Sequence, residues 1–213
     1  MSDRTWLGPS SALLVIDVQN DFCPGGALAV PGGDTILPAV NRLIAAADLV
    51  VLTQDWHPRK HGSFASVHKG KAPFETIEVS YGAQTLWPDH CVQGTSGAAF
   101  HEELLTDRAA LIVRKGMRPM VDSYSAFFED DHATTTGLDG WLRVRGVSRL
   151  VCCGLAFDFC VAYSALDARR LGFDVAVAAD ACAAIDLEGS KAAQSAAMTK
   201  AGVKLTTLAS LGV

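Results

Sequence analysis

Six short, nearly unbroken apolar runs constrain this chain more than any other feature, at residues 12–16, 48–53, 110–113, 150–154, 173–177 and 203–207. A strand with one face in water alternates apolar and polar residues. A strand covered on both faces reads instead as a continuous apolar run. Segments with helical character lie between several of the runs, at residues 36–47, 138–144, 161–171 and 188–201. Gly146, Gly172 and Gly202 follow such segments, where a residue free to turn left-handed ends a helix. Alternating strands and helices predict an α/β fold with a doubly wound, mostly parallel six-stranded sheet and helices on both faces. No repeat, low-complexity tract or linker divides the sequence, so residues 1–213 read as one domain.

Composition narrows the partners. A net charge of −5, with no dense basic patch, argues against nucleic acid or an anionic membrane surface. The most basic stretch, residues 59–71, is broken by apolar and small residues. The longest early apolar run is too short for a signal sequence or a bilayer span. A cytoplasmic protein with free thiols is therefore expected, although there are six cysteines. Most of them need only be small core residues. Residues 58–107 form an insertion rich in His, Pro and Gly with no strong helical period. Insertions of that length in compact domains tend to be functional.

In an open parallel sheet, ligands bind beyond the carboxyl ends of the strands. Asp17 stands beyond the first run, Asp55 and His57 beyond the second, Lys115 beyond the third and Cys160 beyond the fourth. Cys160 opens a predicted helix, where amide groups and the helix dipole favour a thiolate. The plain alternative is a buried structural cysteine. Asp17 either caps a turn or moves a proton to and from a thiol nucleophile. Lys115 is either a solvated strand-end charge or the cation that keeps Asp17 and the thiol ionised. In Asp55-Trp56-His57 the alternate side chains point the same way. A carboxylate with an imidazole suits zinc, iron or manganese. His61, His68, His90 and His101 are the candidate third ligands. His90 stands out because it sits in Leu86-Trp87-Pro88-Asp89-His90-Cys91, where aromatic and proline packing can fix its direction.

Several segments together resemble the nicotinamidase/pyrazinamidase family of isochorismatase-like cysteine hydrolases. They are Asp17-Val18-Gln19-Asn20-Asp21-Phe22, Thr53-Gln54-Asp55-Trp56-His57-Pro58, Trp87-Pro88-Asp89-His90-Cys91, Arg114-Lys115-Gly116, Asp122-Ser123-Tyr124-Ser125-Ala126-Phe127-Phe128 and Gly154-Leu155-Ala156-Phe157-Asp158-Phe159-Cys160-Val161. They occur in the family's order along most of the chain. The resemblance implies a catalytic triad of Asp17, Lys115 and Cys160. It also implies one divalent metal ion on Asp55, His57 and His90, zinc first with iron or manganese as alternatives, and with His61 as second choice of ligand. Phe22, Leu28, Trp87 and Tyr124 would line the ring pocket. The amides of Ala156 and Cys160 would form the oxyanion hole, with a cis bond between Leu155 and Ala156. Phe157 departs from the family, where a small hydroxylated residue is common, and is expected to reshape the pocket wall. The implied reaction is hydrolysis of nicotinamide to nicotinate and ammonia through a cysteine thioester, within NAD salvage, with pyrazinamide as a further substrate. The resemblance leaves a homo-oligomer open. The alternative is a related amidohydrolase acting on a carbamoyl or ureido group, which would leave Asp55, His57 and His90 without work.

Overall fold

The computed structural model describes residues 6–213. Six strands form one sheet in the order β5-β2-β1-β6-β7-β8, every pair parallel. They are β1 Ser11–Ile16, β2 Val50–Asp55, β5 Ala109–Lys115, β6 Arg149–Gly154, β7 Asp174–Cys182 and β8 Lys204–Thr206. The other pair, β3 Thr76–Val79 and β4 Gly82–Thr85, is an antiparallel hairpin within the insertion. No helix of the described residues is long and apolar enough to cross a membrane.

The continuous apolar runs are explained by two core layers. Leu13 and Val15 of β1 pack on one side, with Leu37, Val40, Leu43 and Ile44 of α1 (Leu37–Ala46) and Leu208 and Leu211 of α5 (Leu208–Leu211). Ala12, Leu14 and Ile16 face the other side. There they meet Leu138 and Leu142 of α2 (Leu138–Val144), Ala162, Ala165 and Ala168 of α3 (Ala162–Arg170) and Met198 of α4 (Ser190–Lys200). Because each central strand is covered twice, neither set of alternate residues can be polar. Helix α3 ends as its sequence dictates, with Arg169 and Arg170 in the last turn and Gly172 at φ 90°.

The differences from the sequence reading fall mainly at the ends of elements. Strands β2 and β5 run on to Asp55 and Lys115, so these are the last residues of their strands and not residues beyond them. The two are register partners. Strand β7 continues through Ala179 and Asp180 to Cys182. Helix α4 begins at Ser190, not at 188, because Glu188 and Gly189 take φ of 51° and 85°. Helix α3 begins one residue after the expected start, since residues Phe157–Val161 form a π-helical turn. The hairpin β3–β4 was not foreseen, being short and alternately half exposed.

Chain order and strand order set the site. From β1 the chain moves outward to β2 and β5, then returns to β6 on the other side of β1. The carboxyl ends of β1 and β6 thus flank the switch point, where an α/β sheet opens a crevice.

Candidate active site

Lys115 stands at the centre of this crevice, fully buried. Its ammonium contacts Asp17 Oδ2 at 2.8 Å, the Ser123 carbonyl at 2.8 Å, Cys160 Sγ at 3.4 Å and Asp55 Oδ1. An ammonium has three N–H donors, and Asp55, Ser123 and Cys160 take them. The Asp17 Oδ2 contact is an ion pair rather than an aligned hydrogen bond, which leaves that oxygen with unused acceptor capacity. Its other oxygen accepts the Thr53 hydroxyl at 2.6 Å, fixing the carboxylate's direction. The three residues expected to form the triad are thereby brought together from β1, β5 and the turn after β6.

Asp55 belongs to both halves of the site. Its Oδ2 lies 3.6 Å from His57 Nε2 and 3.8 Å from His90 Nε2, too far for direct hydrogen bonds. Each imidazole turns its Nδ1 to a backbone carbonyl, His57 to Gly116 at 2.9 Å and His90 to Pro88 at 2.8 Å. Such contacts fix the tautomer and leave Nε2 as the ligating atom. One carboxylate and two oriented imidazoles, with ligand atoms within 4.8 Å of one another, suit a divalent ion bound at about 2.0–2.2 Å from each. His61 is turned elsewhere, its ring nitrogens taken by Ser63 Oγ at 2.7 Å and the Val121 carbonyl at 3.2 Å. It lies with His57 and Asp122 in a second cluster of ligand-type atoms.

A small cavity joins the two halves. Phe22, Leu28, Trp87 and Tyr124 line it together with Asp55, His90, Ala156 and Cys160, and so do Asp122, Phe159 and Ile185. The Tyr124 hydroxyl accepts Trp87 Nε1 at 2.9 Å, and the Phe159 ring meets that of Trp87 edge-on at 4.9 Å. The Leu155–Ala156 bond is cis. Phe157 does not line the cavity and packs in the opposite core layer with Val161 and Phe127, so the expectation that it reshapes the pocket wall is corrected. A larger open groove runs along the outer edge of β5 and carries none of the triad or metal-type residues.

Residues 11–210 match the isochorismatase domain. The chain belongs to the isochorismatase-domain family. Within that family it is 54% identical over 179 residues to a nicotinamidase of Acinetobacter baylyi, covering 84% of each chain. A solved nicotinamidase/pyrazinamidase of Acinetobacter baumannii superposes with a TM-score of 0.95 at 52% identity, over 96% of this chain and 99% of that one. A pyrazinamidase of Pyrococcus horikoshii, solved with zinc, gives 0.74 at 38% identity over 93% and 99%.

In this isochorismatase-family site, burial works against the helix-start effect on the thiol. Burial pushes the Cys160 thiol well up; the Lys115 ammonium opposes this, while Asp17 and Asp55 add to it. Burial is the largest of these influences, so the thiol gives up its proton less readily than one at an exposed helix start. Burial likewise raises the Asp17 carboxyl, with Lys115 opposing and Asp55 assisting. Burial alone would lower Lys115, but Asp17 and Asp55 hold it well above its ordinary value.

Several residues that build the site escaped the sequence reading. Gln19 clamps Asp55: its Oε1 accepts the Asp55 amide and its Nε2 donates to the Asp55 carbonyl, both at 2.8 Å. Asp21 accepts the Cys91 amide at 2.7 Å, drawing in the loop that carries His90. Both stand in the quoted segment that begins at Asp17. Their signal was the placing of polar residues directly after a buried strand. Phe159 sits next to Cys160 in sequence, but nothing local marks Asp122 or Ile185 as cavity residues.

Proposed function

We propose that this chain is a metal-dependent nicotinamidase that hydrolyses nicotinamide to nicotinate and ammonia through a thioester on Cys160. The observation that carries the reading is the sharing of Lys115 and Asp55 between an acid–lysine–thiol set and a metal-type ligand set at one cavity. A related enzyme acting on carbamoyl or ureido groups explains the triad and leaves the two oriented imidazoles unused. The chain is read as one domain, residues 1–213, with the insertion at 58–107 supplying His90. Pyrazinamide, which keeps the ring nitrogen and the carboxamide, is a second substrate, and the role is NAD salvage in the cytoplasm.

Asp55, His57 and His90 would hold the ion, zinc by preference. When bound, it would supply a Lewis acid that orients the substrate ring. The chain's own groups do the bond making. Phe22, Leu28, Trp87 and Tyr124 hold the ring, with its carboxamide carbon beside Cys160. As Sγ attacks that carbon, Asp17 takes the thiol proton, and the Ala156 and Cys160 amides hold the developing oxyanion. The C–N bond then breaks and Asp17 gives its proton to the departing ammonia. Water, deprotonated by Asp17, cleaves the C–S bond and releases nicotinate, and the proton returns to Sγ. A carboxyl raised by burial yet held beside an ammonium is suited to both directions of transfer. Ammonia release from nicotinamide, measured with zinc and after chelation, tests this. Turnover should be lost on chelation and restored by the ion; no release in either state would overturn the assignment.

A further inference from the structure

Outside the triad and the metal-type ligands, one more carboxylate stands in the turn that carries the nucleophile. Asp158 lies two residues before Cys160 and is 0% exposed. Its Oδ1 accepts the Ile185 amide at 3.0 Å, and its Oδ2 accepts the Asp186 amide at 2.7 Å and the Ser190 hydroxyl at 2.5 Å. The neighbouring Phe157 amide donates to the Ala183 carbonyl at 2.8 Å. The turn is thereby stitched to residues 183–190.

Packing alone does not fix that segment. Its residues are all half-buried or exposed. Asp186 and Glu188 take φ of 56° and 51°, where residues with a side chain are uncommon. Charge-assisted bonds to one buried carboxylate are the stronger restraint. The segment in turn places Ile185 against the same cavity as Cys160, Trp87 and Tyr124. We infer that Asp158 is a positioning residue, a latch that ties the nucleophile's turn to the Ile185 wall and thereby sets how closely the pocket fits the substrate ring. The inference rests on the nicotinamidase reading only for the choice of substrate.

The test uses the full-length, zinc-loaded protein. Asp158→Asn leaves one acceptor and turns an N–H2 group toward donors. The Ile185 and Asp186 amides should then exchange with solvent about tenfold faster or more, as expected when a buried partner is lost. KM for nicotinamide should rise by about tenfold, with kcat changing far less, and ring-methylated nicotinamides should be discriminated less sharply. Ile185→Ala should produce the same loss of discrimination, and the double variant should add nothing to it. Should Asp158→Asn fail to fold, Ser190→Ala, which removes a single donor, should shift the same readouts in the same direction by less. The latch is overturned if amide exchange at 185 and 186 is unchanged in both variants. It is equally overturned if kcat falls alike for every amide with discrimination intact. Should the wild type release no ammonia from nicotinamide, the substrate assignment falls, and amide exchange alone still decides the latch.

Discussion

Replacing Lys115 with methionine tests the centre of the site most directly. Methionine is close to lysine in length, so little cavity is created and the effect is electrostatic. The ammonium lies 2.8 Å from Asp17 Oδ2, with both side chains 0% exposed, and it also pairs with Asp55. A unit pair at that separation is worth about 6 kcal/mol at an effective dielectric of ~20. The cost of desolvating the ammonium opposes this, so removing one partner of a buried pair typically costs about 3–5 kcal/mol. Asp17, already raised by burial, can take up a proton in the variant, which limits the loss to that range. For a chain of this size each kcal/mol lowers Tm by about 2–4 °C, so a fall of about 6–20 °C is expected. Urea unfolding and calorimetry at fixed zinc measure it, and kcat/KM for nicotinamide should fall at least about 10²-fold. The double variant Asp17→Asn with Lys115→Met removes one of the two orphaned charges, so it should be more stable than Lys115→Met alone. A loss below about 1 kcal/mol, the scale of an exposed ion pair, would refute the reasoning. So would single-variant penalties that simply add in the double variant.

Cys160→Ala should keep the fold and ligand binding and lose turnover; near-normal ammonia release by this variant would end the thioester mechanism. Benzamide lacks the ring nitrogen and should be a much poorer substrate than nicotinamide, by more than the 10–200-fold that a methylene decides. His57→Ala should erase most of that preference, and equal kcat/KM for the two amides on the wild type would leave Asp55, His57 and His90 a structural role. Burial first, then the charge of Asp122, pushes the Asp130 carboxyl from the ordinary 3.8 up to about 8. The folded state thus keeps a proton that the unfolded chain has lost, so stability falls as pH rises from about 4 to about 8, by at most about 1.4 kcal/mol per pH unit. Asp130→Asn, which keeps an acceptor for the Tyr124 amide, should flatten that part of the Tm profile; superimposable profiles would refute the shift.

The sheet was legible because its cause is local. The central strands, covered on both faces, read as near-continuous apolar runs, and that leaves a mark in one dimension. The carboxyl-end rule then collected Asp17, Asp55, His57, Lys115 and Cys160 without any structure. What escaped was decided by contacts between distant segments. Gln19 and Asp55 are 36 residues apart, and only the pairing of β1 with β2 brings Gln19 to the Asp55 backbone. Ile185 reaches the cavity because Asp158 accepts its amide across 27 residues. Neither link has a spacing or a period to betray it.

The upward push on the thiol escaped for a different reason. A cysteine opening a helix reads as a stabilised thiolate because amides and dipole are local features. Burial and the flanking carboxylates are not. In this fold Cys160 is buried, lines the same cavity as Trp87 and Phe159, and stands next to Lys115, which also pairs with Asp17 and Asp55. The ammonium pulls the thiol down, but burial pushes it up more strongly and the two carboxylates add to that push. In the proposed mechanism the proton leaves as Sγ attacks, and the buried Asp17, with one oxygen tied to Thr53 and the other short of an aligned donor, is its acceptor. The same sharing binds the two halves of the site together: because Asp55 turns one oxygen to Lys115 and the other to the two imidazoles, the triad cannot be electrostatically independent of the metal ligands.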